Sequence, residues 1–326
     1  LKFLLKALTA GMLSLMLWEV ISRVAFYSSP ATHDDPILGR ILSKGIRISG
    51  EEGYSITKFN SLGMRNVELH QKNGNMRYLV LGDSYTEGLQ VSDKQLFSSL
   101  LDNKSKTIDV INAGRSGASP ATYIQLASYY KKEIDPDFTI IQLNQDDFYG
   151  DAFNKNSDFY VEKYQGQYRA LKNEHLSRSN IIAEKIPQLN FISEISVVRK
   201  AFINLQNLIQ SSPPKDKIQT FDHEAASWML EQMKQSYTNV VVLYIPTIDY
   251  YHYENDNSLE DYLETKSSEI GLDFINMRLP FIESFQKTQQ PAHGFNNTVP
   301  GTGHINKIGH KLIADELNKY FKQVSR

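Results

Sequence analysis

Met76-Arg77-Tyr78-Leu79-Val80-Leu81-Gly82-Asp83-Ser84-Tyr85-Thr86-Glu87-Gly88 reads as a short apolar strand that stops on Gly82-Asp83-Ser84 and turns into a helical stretch reaching about residue 101. Apolar residues that run on without alternation predict a strand buried on both faces, as in parallel sheets covered by helices. Further strands of the same kind follow at 107–112, ending on Ala113-Gly114, at 137–143 and at 240–245. A helix is predicted at about 120–133, and an amphipathic one at about 306–323 closes the chain. Strands alternating with helices predict a three-layer α/β/α sandwich around a parallel sheet.

The chain divides around that core. Residues 76–326 form the main domain, broken by an insertion at 149–220 that is longer than a strand-to-helix connection needs. The insertion carries a helical pattern through Val197, Val198, Phe202, Leu205 and Leu208, and reads either as a cap over the sheet edge or as a peripheral elaboration. Residues 28–75 are rich in turn formers and read as an arm packed loosely on the domain. Aromatic residues gather at Tyr149, Phe153, Phe159, Tyr160, Tyr164 and Tyr168 and again at Tyr250, Tyr251 and Tyr253. Such rings suit either packing or stacking on sugars.

Residues 1–27 differ from the rest. Lys2 and Lys6 precede an uncharged run at 7–18, and apolar character resumes around Glu19 and Arg23. The run alone has the length of a signal-peptide core, but Glu19 and Arg23 are spaced to neutralise each other on a helix, and Ser29-Pro30-Ala31 lies far from the run for a cleavage site. The expectation is a retained transmembrane anchor, or an uncleaved signal, with the lysines on the cytoplasmic side and the domain outside. Leu1 in place of methionine leaves a truncated or unusual start open.

Composition narrows the chemistry. Lys+Arg at 35 against Asp+Glu at 37 gives a net charge of −2, which disfavours nucleic acid as a partner. With 0 cysteines there are no thiol nucleophiles, no cysteine-held zinc and no disulfides. Asp83, Asp146 and Asp147 lack the spacing of a metal site, so neither metal nor cofactor is expected.

Ser84 stands directly after a strand and before a helix, at the carboxyl edge where α/β sheets bind ligands. Its bland alternative is a helix N-cap. A serine hydroxyl needs a neighbouring base. Gly301-Thr302-Gly303-His304-Ile305-Asn306-Lys307-Ile308-Gly309-His310 offers two histidines. His304, in a flexible glycine turn, can be carried over the sheet edge, whereas His310 on the helix is expected to pack or cap.

The Gly-Asp-Ser start, the glycine after the second strand, the polar cluster after the third and the late His-x-x-x-x-Gly-His occur in an order that resembles the SGNH (GDSL-like) hydrolase superfamily. The anchor, His33-Asp34-Asp35-Pro36-Ile37-Leu38-Gly39 and Asn60-Ser61-Leu62-Gly63-Met64-Arg65 further resemble a membrane-anchored bacterial branch. The resemblance implies a flavodoxin-like sheet, Ser84 as nucleophile and His304 as general base. It also implies an oxyanion hole from the Ser84 and Gly114 backbone N–H groups and a side-chain donor after the third strand.

Two positions depart from the family pattern. Asn144-Gln145-Asp146-Asp147 puts Asp146 where the family has the donating asparagine, so Asp146 is protonated, or Asn144 or Gln145 donates, or two backbone donors suffice. Gly301 stands where the acid that orients the histidine is expected, leaving that task to a backbone carbonyl or to a distant carboxylate. The expectation is a serine esterase or O-acyltransferase acting on an acylated small molecule or a cell-surface or exported polysaccharide. The alternative is a catalytically silent module for binding or assembly.

Overall fold

The computed structural model describes residues 2–25, 27–29, 32–50, 52–65, 68–72, 74–102, 107–174, 221–246 and 257–324. Helix α1 spans Lys2–Ala25, and five short strands follow: β1 (Tyr27–Ser28), β2 (Thr32–Asp35), β3 (Gly39–Leu42), β4 (Gly45–Ser49) and β5 (Ser55–Phe59). The main domain then runs β6 (Met76–Leu81), α2 (Ser84–Glu87), α3 (Phe97–Asp102), β7 (Ile108–Asn112), α4 (Pro120–Glu133), β8 (Phe138–Leu143) and α5 (Asp146–Tyr149). A hairpin of β9 (Phe159–Tyr164) and β10 (Gln167–Lys172) follows. The chain continues with α6 (His223–Ser236), β11 (Val240–Tyr244), α7 (Ser258–Glu269), β12 (Asp273–Asn276), α8 (Arg278–Thr288) and α9 (Lys307–Val324).

The central sheet has five parallel strands in the order β12-β11-β8-β6-β7. Counted by chain order this is 2-1-3-4-5, the flavodoxin-like winding, whose switch point falls between the first and third strands. Here those are β6 and β8, which end next to Ser84 and Asn144 respectively. Successive side chains of each strand enter opposite cores. Leu79, Leu81, Ile141 and Val242 meet Leu126 of α4 and Met229 of α6 on one face. Tyr78, Val80, Ile140 and Val241 meet Phe97 of α3, Phe281 of α8 and Leu317 of α9 on the other. This is the three-layer sandwich the apolar strands predict. β12 escapes a pattern-based reading because four residues, none of them fully buried, leave little pattern to read.

The helix at α1 exceeds the uncharged run at 7–18: Lys2–Ile21 is long and apolar enough to cross a membrane, and its side chains are exposed. The helical pattern at 197–208 and the tyrosines at 250, 251 and 253 lie outside the described residues. Phe159 is buried and Phe153 packs against the same core, whereas Tyr164 is exposed beneath the Arg169 guanidinium, 4.4 Å from its ring centre.

Where the turn-rich composition of residues 28–75 suggests loose packing, the described residues 45–50 and 52–65 are tied to the main domain. β4 and β5 form an antiparallel hairpin whose inner residues Ser55, Thr57 and Phe59 are buried while Ile46 and Ile56 stay outside. After the hairpin, Asn60 Oδ1 accepts from the Leu62 and Met64 N–H groups, which aims Arg65 inward. The buried Arg65 guanidinium donates to the carbonyls of Glu87, Gly88 and Val91 and pairs with Asp93 at 2.8 Å. The arm thereby holds the loop that follows the Ser84 turn. A guanidinium suits this task because its planar fork presents several donors at once.

Candidate active site

Ser84 begins α2, and Asp83 caps that helix by accepting the Tyr85 N–H at 2.8 Å. Gln142 of β8 pins the turn from below: its Oε1 accepts from Asp83 N–H at 3.1 Å and from Thr86 Oγ1 at 3.0 Å. The role of Asp83 as the cap leaves the Ser84 hydroxyl unneeded for that purpose. Ser84, His304, Asn144, Asp146, Asp151, Tyr85 and Gly117 line one cleft of about 430 Å3 at the switch point. A wider cleft of about 790 Å3 beside Tyr54 and Phe295 contains neither Ser84 nor His304.

His304 is oriented by Glu52. The tip between β4 and β5 brings the Glu52 carboxylate onto the histidine, one oxygen accepting from the His304 backbone N–H at 2.6 Å and the other meeting Nδ1 at 2.5 Å. With Nδ1 carrying the proton toward Glu52, Nε2 is left as the basic nitrogen. Burial raises the Glu52 pKa, but the hydrogen bonds from the His304 ring and backbone and its charge outweigh this, and the net shift is downward. The tip is itself held: Gly53 N–H donates to Asn297 Oδ1 at 2.9 Å, and Asn297 Nδ2 donates to Gly50 O at 3.2 Å. Gly303 makes the approach possible, since a Cβ there would lie 2.3 Å from Glu52 Oε1. Among the described residues no hydrogen bond joins Ser84 Oγ to His304 Nε2. Catalytic hydrogen bonds are often long before substrate closes the site.

Gly301 carries no acid, as its sequence position announces, and its N–H donates to His293 O at 3.0 Å. A carboxylate does meet the ring from 252 residues away in sequence, that of Glu52 on His304 Nδ1. Tyr85 walls the imidazole, its ring 5.8 Å from that of His304 and nearly perpendicular. His310 packs, stacked on Phe97 at 5.8 Å, and burial, with Arg65 nearby, pushes its pKa down to about 3.

The glycine beside the cleft is Gly117. Gly114, expected in the oxyanion hole, has its N–H committed to Asn112 Oδ1 at 2.9 Å, and it packs so closely on α2 that a Cβ would sit 2.6 Å from Glu87 N. Gly117 lines the cleft, and its N–H has no acceptor among the described residues. Its loop is supported by Glu87, whose Oε2 accepts from Ser116 N–H at 2.9 Å and from the Ser116 hydroxyl.

Of the side-chain candidates, Asn144 is buried with one amide hydrogen donated to Asp83 Oδ2 at 2.6 Å and the other without an acceptor among the described residues. Asp146 lines the cleft with its backbone N–H on Asn144 Oδ1 at 2.8 Å. Gln145 is outside the cleft lining. Burial pushes Asp83 up to about 6 against the opposing Tyr85 N–H bond, and burial together with the Asp83 charge pushes Asp147 well up. No group of histidine, aspartate and glutamate placed to hold a metal occurs among the described residues.

Comparison with known proteins fits this geometry. The family model of GDSL-like Lipase/Acylhydrolase matches residues 78–317, well over half of the chain. The chain belongs to this GDSL-like family. An uncharacterized protein of Rickettsia conorii is 28% identical over 199 residues, covering 60% of this chain and 58% of the relative. One of Rickettsia felis is 30% identical over 151 residues, covering 45% of this chain and 48% of the relative. The chain thus spans about half the length of the curated relatives it matches. A member of the lipolytic protein G-D-S-L family from Veillonella parvula is similar in structure at 14% identity and a TM-score of 0.43, with 76% of this chain and 98% of that one covered. The GDSL-like match starts at residue 78, so Glu52 and Arg65 lie in the segment before it.

Proposed function

We propose that the chain is a serine esterase or O-acyltransferase working through an acyl-enzyme on Ser84. The observation that carries this reading is the Glu52–His304 pair, whose histidine lines the cleft that holds Ser84 at the switch point of the sheet. In the first step His304 Nε2 takes the Ser84 proton while Oγ bonds to the ester carbon. Ser84 N–H, Gly117 N–H and the second Asn144 amide hydrogen would hold the oxyanion, in a site where each donor contributes about 3 kcal/mol. The carbon–oxygen bond then breaks, and the departing alcohol takes the proton from His304. Water or a sugar hydroxyl repeats the sequence in reverse and frees Ser84.

The reading of α1 as a retained anchor is supported by its length and exposure and by β1, which follows it closely and pairs with β4. Tyr54 Oη donates to Val24 O at 3.1 Å, so the hairpin that carries Glu52 also touches the end of this helix. A domain held so near a bilayer on the extracytoplasmic side would meet acyl esters of surface or exported glycans.

A fluorophosphonate probe on the full chain in detergent is expected to label Ser84, with labelling abolished in Ser84→Ala. No labelling of folded protein from pH 5 to pH 9 would defeat the reading and favour a silent binding module. Gly303→Ala gives a graded check. The new methyl group meets the Glu52 carboxylate, and because Gly303 sits at a φ of 78°, a left-handed backbone that costs alanine about 1–2 kcal/mol, both the side chain and the turn shift. A displacement of about 1 Å costs roughly 100-fold in rate. The expected result is p-nitrophenyl acetate turnover lowered by about that factor with an unchanged circular dichroism spectrum; wild-type turnover would show that the carboxylate position does not matter.

A further inference from the structure

A second lobe adjoins the catalytic cleft and differs from it in charge. It measures about 350 Å3 and shares Gly117 with the first. Arg40, Arg47 and Arg115 line it, with Glu87 and Asp158 as the acids. Both acids accept hydrogen bonds from their neighbours, and the three guanidinium groups outnumber the two carboxylates of the lining. Glu87 holds Ser116, and Asp158 accepts the Arg40 N–H at 2.9 Å with Arg115 Nη2 at 3.8 Å.

The three arginines are positioned by the fold. The Arg115 backbone N–H donates to Gly82 O at 3.0 Å, which roots it beside the nucleophile turn, and its Nη1 donates to Leu38 O at 2.7 Å. Arg47 stands opposite the buried Thr57 on the inner face of the β4–β5 hairpin. Arg40 comes from β3, with Nε 3.4 Å from Asp34 Oδ1. Beyond Gly117, the first lobe is acidic instead: Asp83, Asp146 and Asp151 line it, facing the single imidazole of His304.

Resting on the acyl-enzyme reading, we propose that the arginine lobe seats an anionic group of the substrate's alcohol part, so that the substrate is an uncharged acyl group esterified to a carboxylate- or phosphate-bearing carrier. The acidic cleft disfavours a negatively charged acyl group, and the lobe past Gly117 favours a negatively charged carrier. Guanidinium groups suit both anions through paired hydrogen bonds. During the reaction the bond between acyl carbon and carrier oxygen breaks, the oxygen takes the proton from His304, and the carrier's own charge is unchanged.

The test uses full-length protein in detergent and three acetyl esters, of glucuronic acid, of glucose 6-phosphate and of glucose. Wild-type kcat/KM is expected to be at least 10-fold higher for one anionic ester than for the glucose ester, the better of the two identifying carboxylate or phosphate. In the Arg40→Gln/Arg47→Gln double variant that preference is expected to fall about 10-fold while the glucose ester changes less than twofold. Equal rates on all three esters, or an equal loss on all three in the variant, would overturn the proposal. Binding of glucuronate and glucose 6-phosphate to Ser84→Ala, measured by calorimetry against glucose, separates this lobe from the chemistry. Anion binding that is lost with the two arginines supports the lobe even if no ester turns over, and no preference for either anion over glucose counts against it.

Discussion

Glu52→Gln is expected to lower kcat for an acyl ester by about 1,000- to 10,000-fold at pH 7, the scale seen when the acid behind a catalytic histidine becomes an amide. The argument is geometric. Two carboxylate oxygens accept from two donors of one residue, the His304 backbone N–H and Nδ1. An amide has only one acceptor, so one of these sites must face an NH2 group. If that site is Nδ1, the ring is held with its proton on Nε2 and cannot accept one from Ser84. Fluorophosphonate labelling rates for wild type and Glu52→Gln, with thermal melts to confirm folding, measure this directly. A loss below about threefold would mean that another group orients the ring.

The same pair gives a pH signature in stability. The folded-state pKa of Glu52 is lowered, so its contribution is fully present above the unfolded value of about 4.5 and is lost as pH falls through the lower folded value. The gap in Tm between wild type and Glu52→Gln is therefore expected to be flat from pH 6 to pH 8 and to shrink below about pH 4.5.

Arg65→Met is expected to cost about 3–5 kcal/mol, since each buried carbonyl left without a donor costs about 1–3 kcal/mol. Three carbonyl acceptors, of Glu87, Gly88 and Val91, lose their donor in a place where the side chain is buried. Methionine fills much of the volume and supplies no hydrogen bond. At roughly 2–4 °C per kcal/mol for a domain of this size, Tm falls by about 10 °C. Ser84 labelling is expected to slow as well, because the released loop begins at the end of α2. A Tm within 1 °C of wild type would show that the arm does not brace the nucleophile turn.

Much of the fold was legible because continuous apolar strands can be buried in few ways. β6, β7, β8 and β11 were readable from their own residues, and Ser84 from its place between strand and helix. The place of His304 over the cleft was readable from its glycine turn. Glu52 was not. Gly50-Glu51-Glu52-Gly53, between two stretches containing spaced isoleucines, is a plausible hairpin turn, but nothing local tells an acidic turn in solvent from one that docks 252 residues away. Arg65 was hidden in the same way, since a charged residue after a turn is ordinarily exposed. That Gly117 rather than the expected Gly114 borders the cleft was not legible, because it depends on a tertiary contact, the Gly114 N–H on Asn112 Oδ1.

The sequence by itself determined the parallel α/β sandwich, the position of the Ser84 turn and the absence of an acid at Gly301, because these follow from residue type and local order. Only the tertiary structure decided which carboxylate stands behind His304, which glycine borders the cleft and that the arm is part of the site. Those depend on where distant backbone segments meet, and the contacts of the β4–β5 hairpin with Leu89, Asn297 and His304 set that meeting.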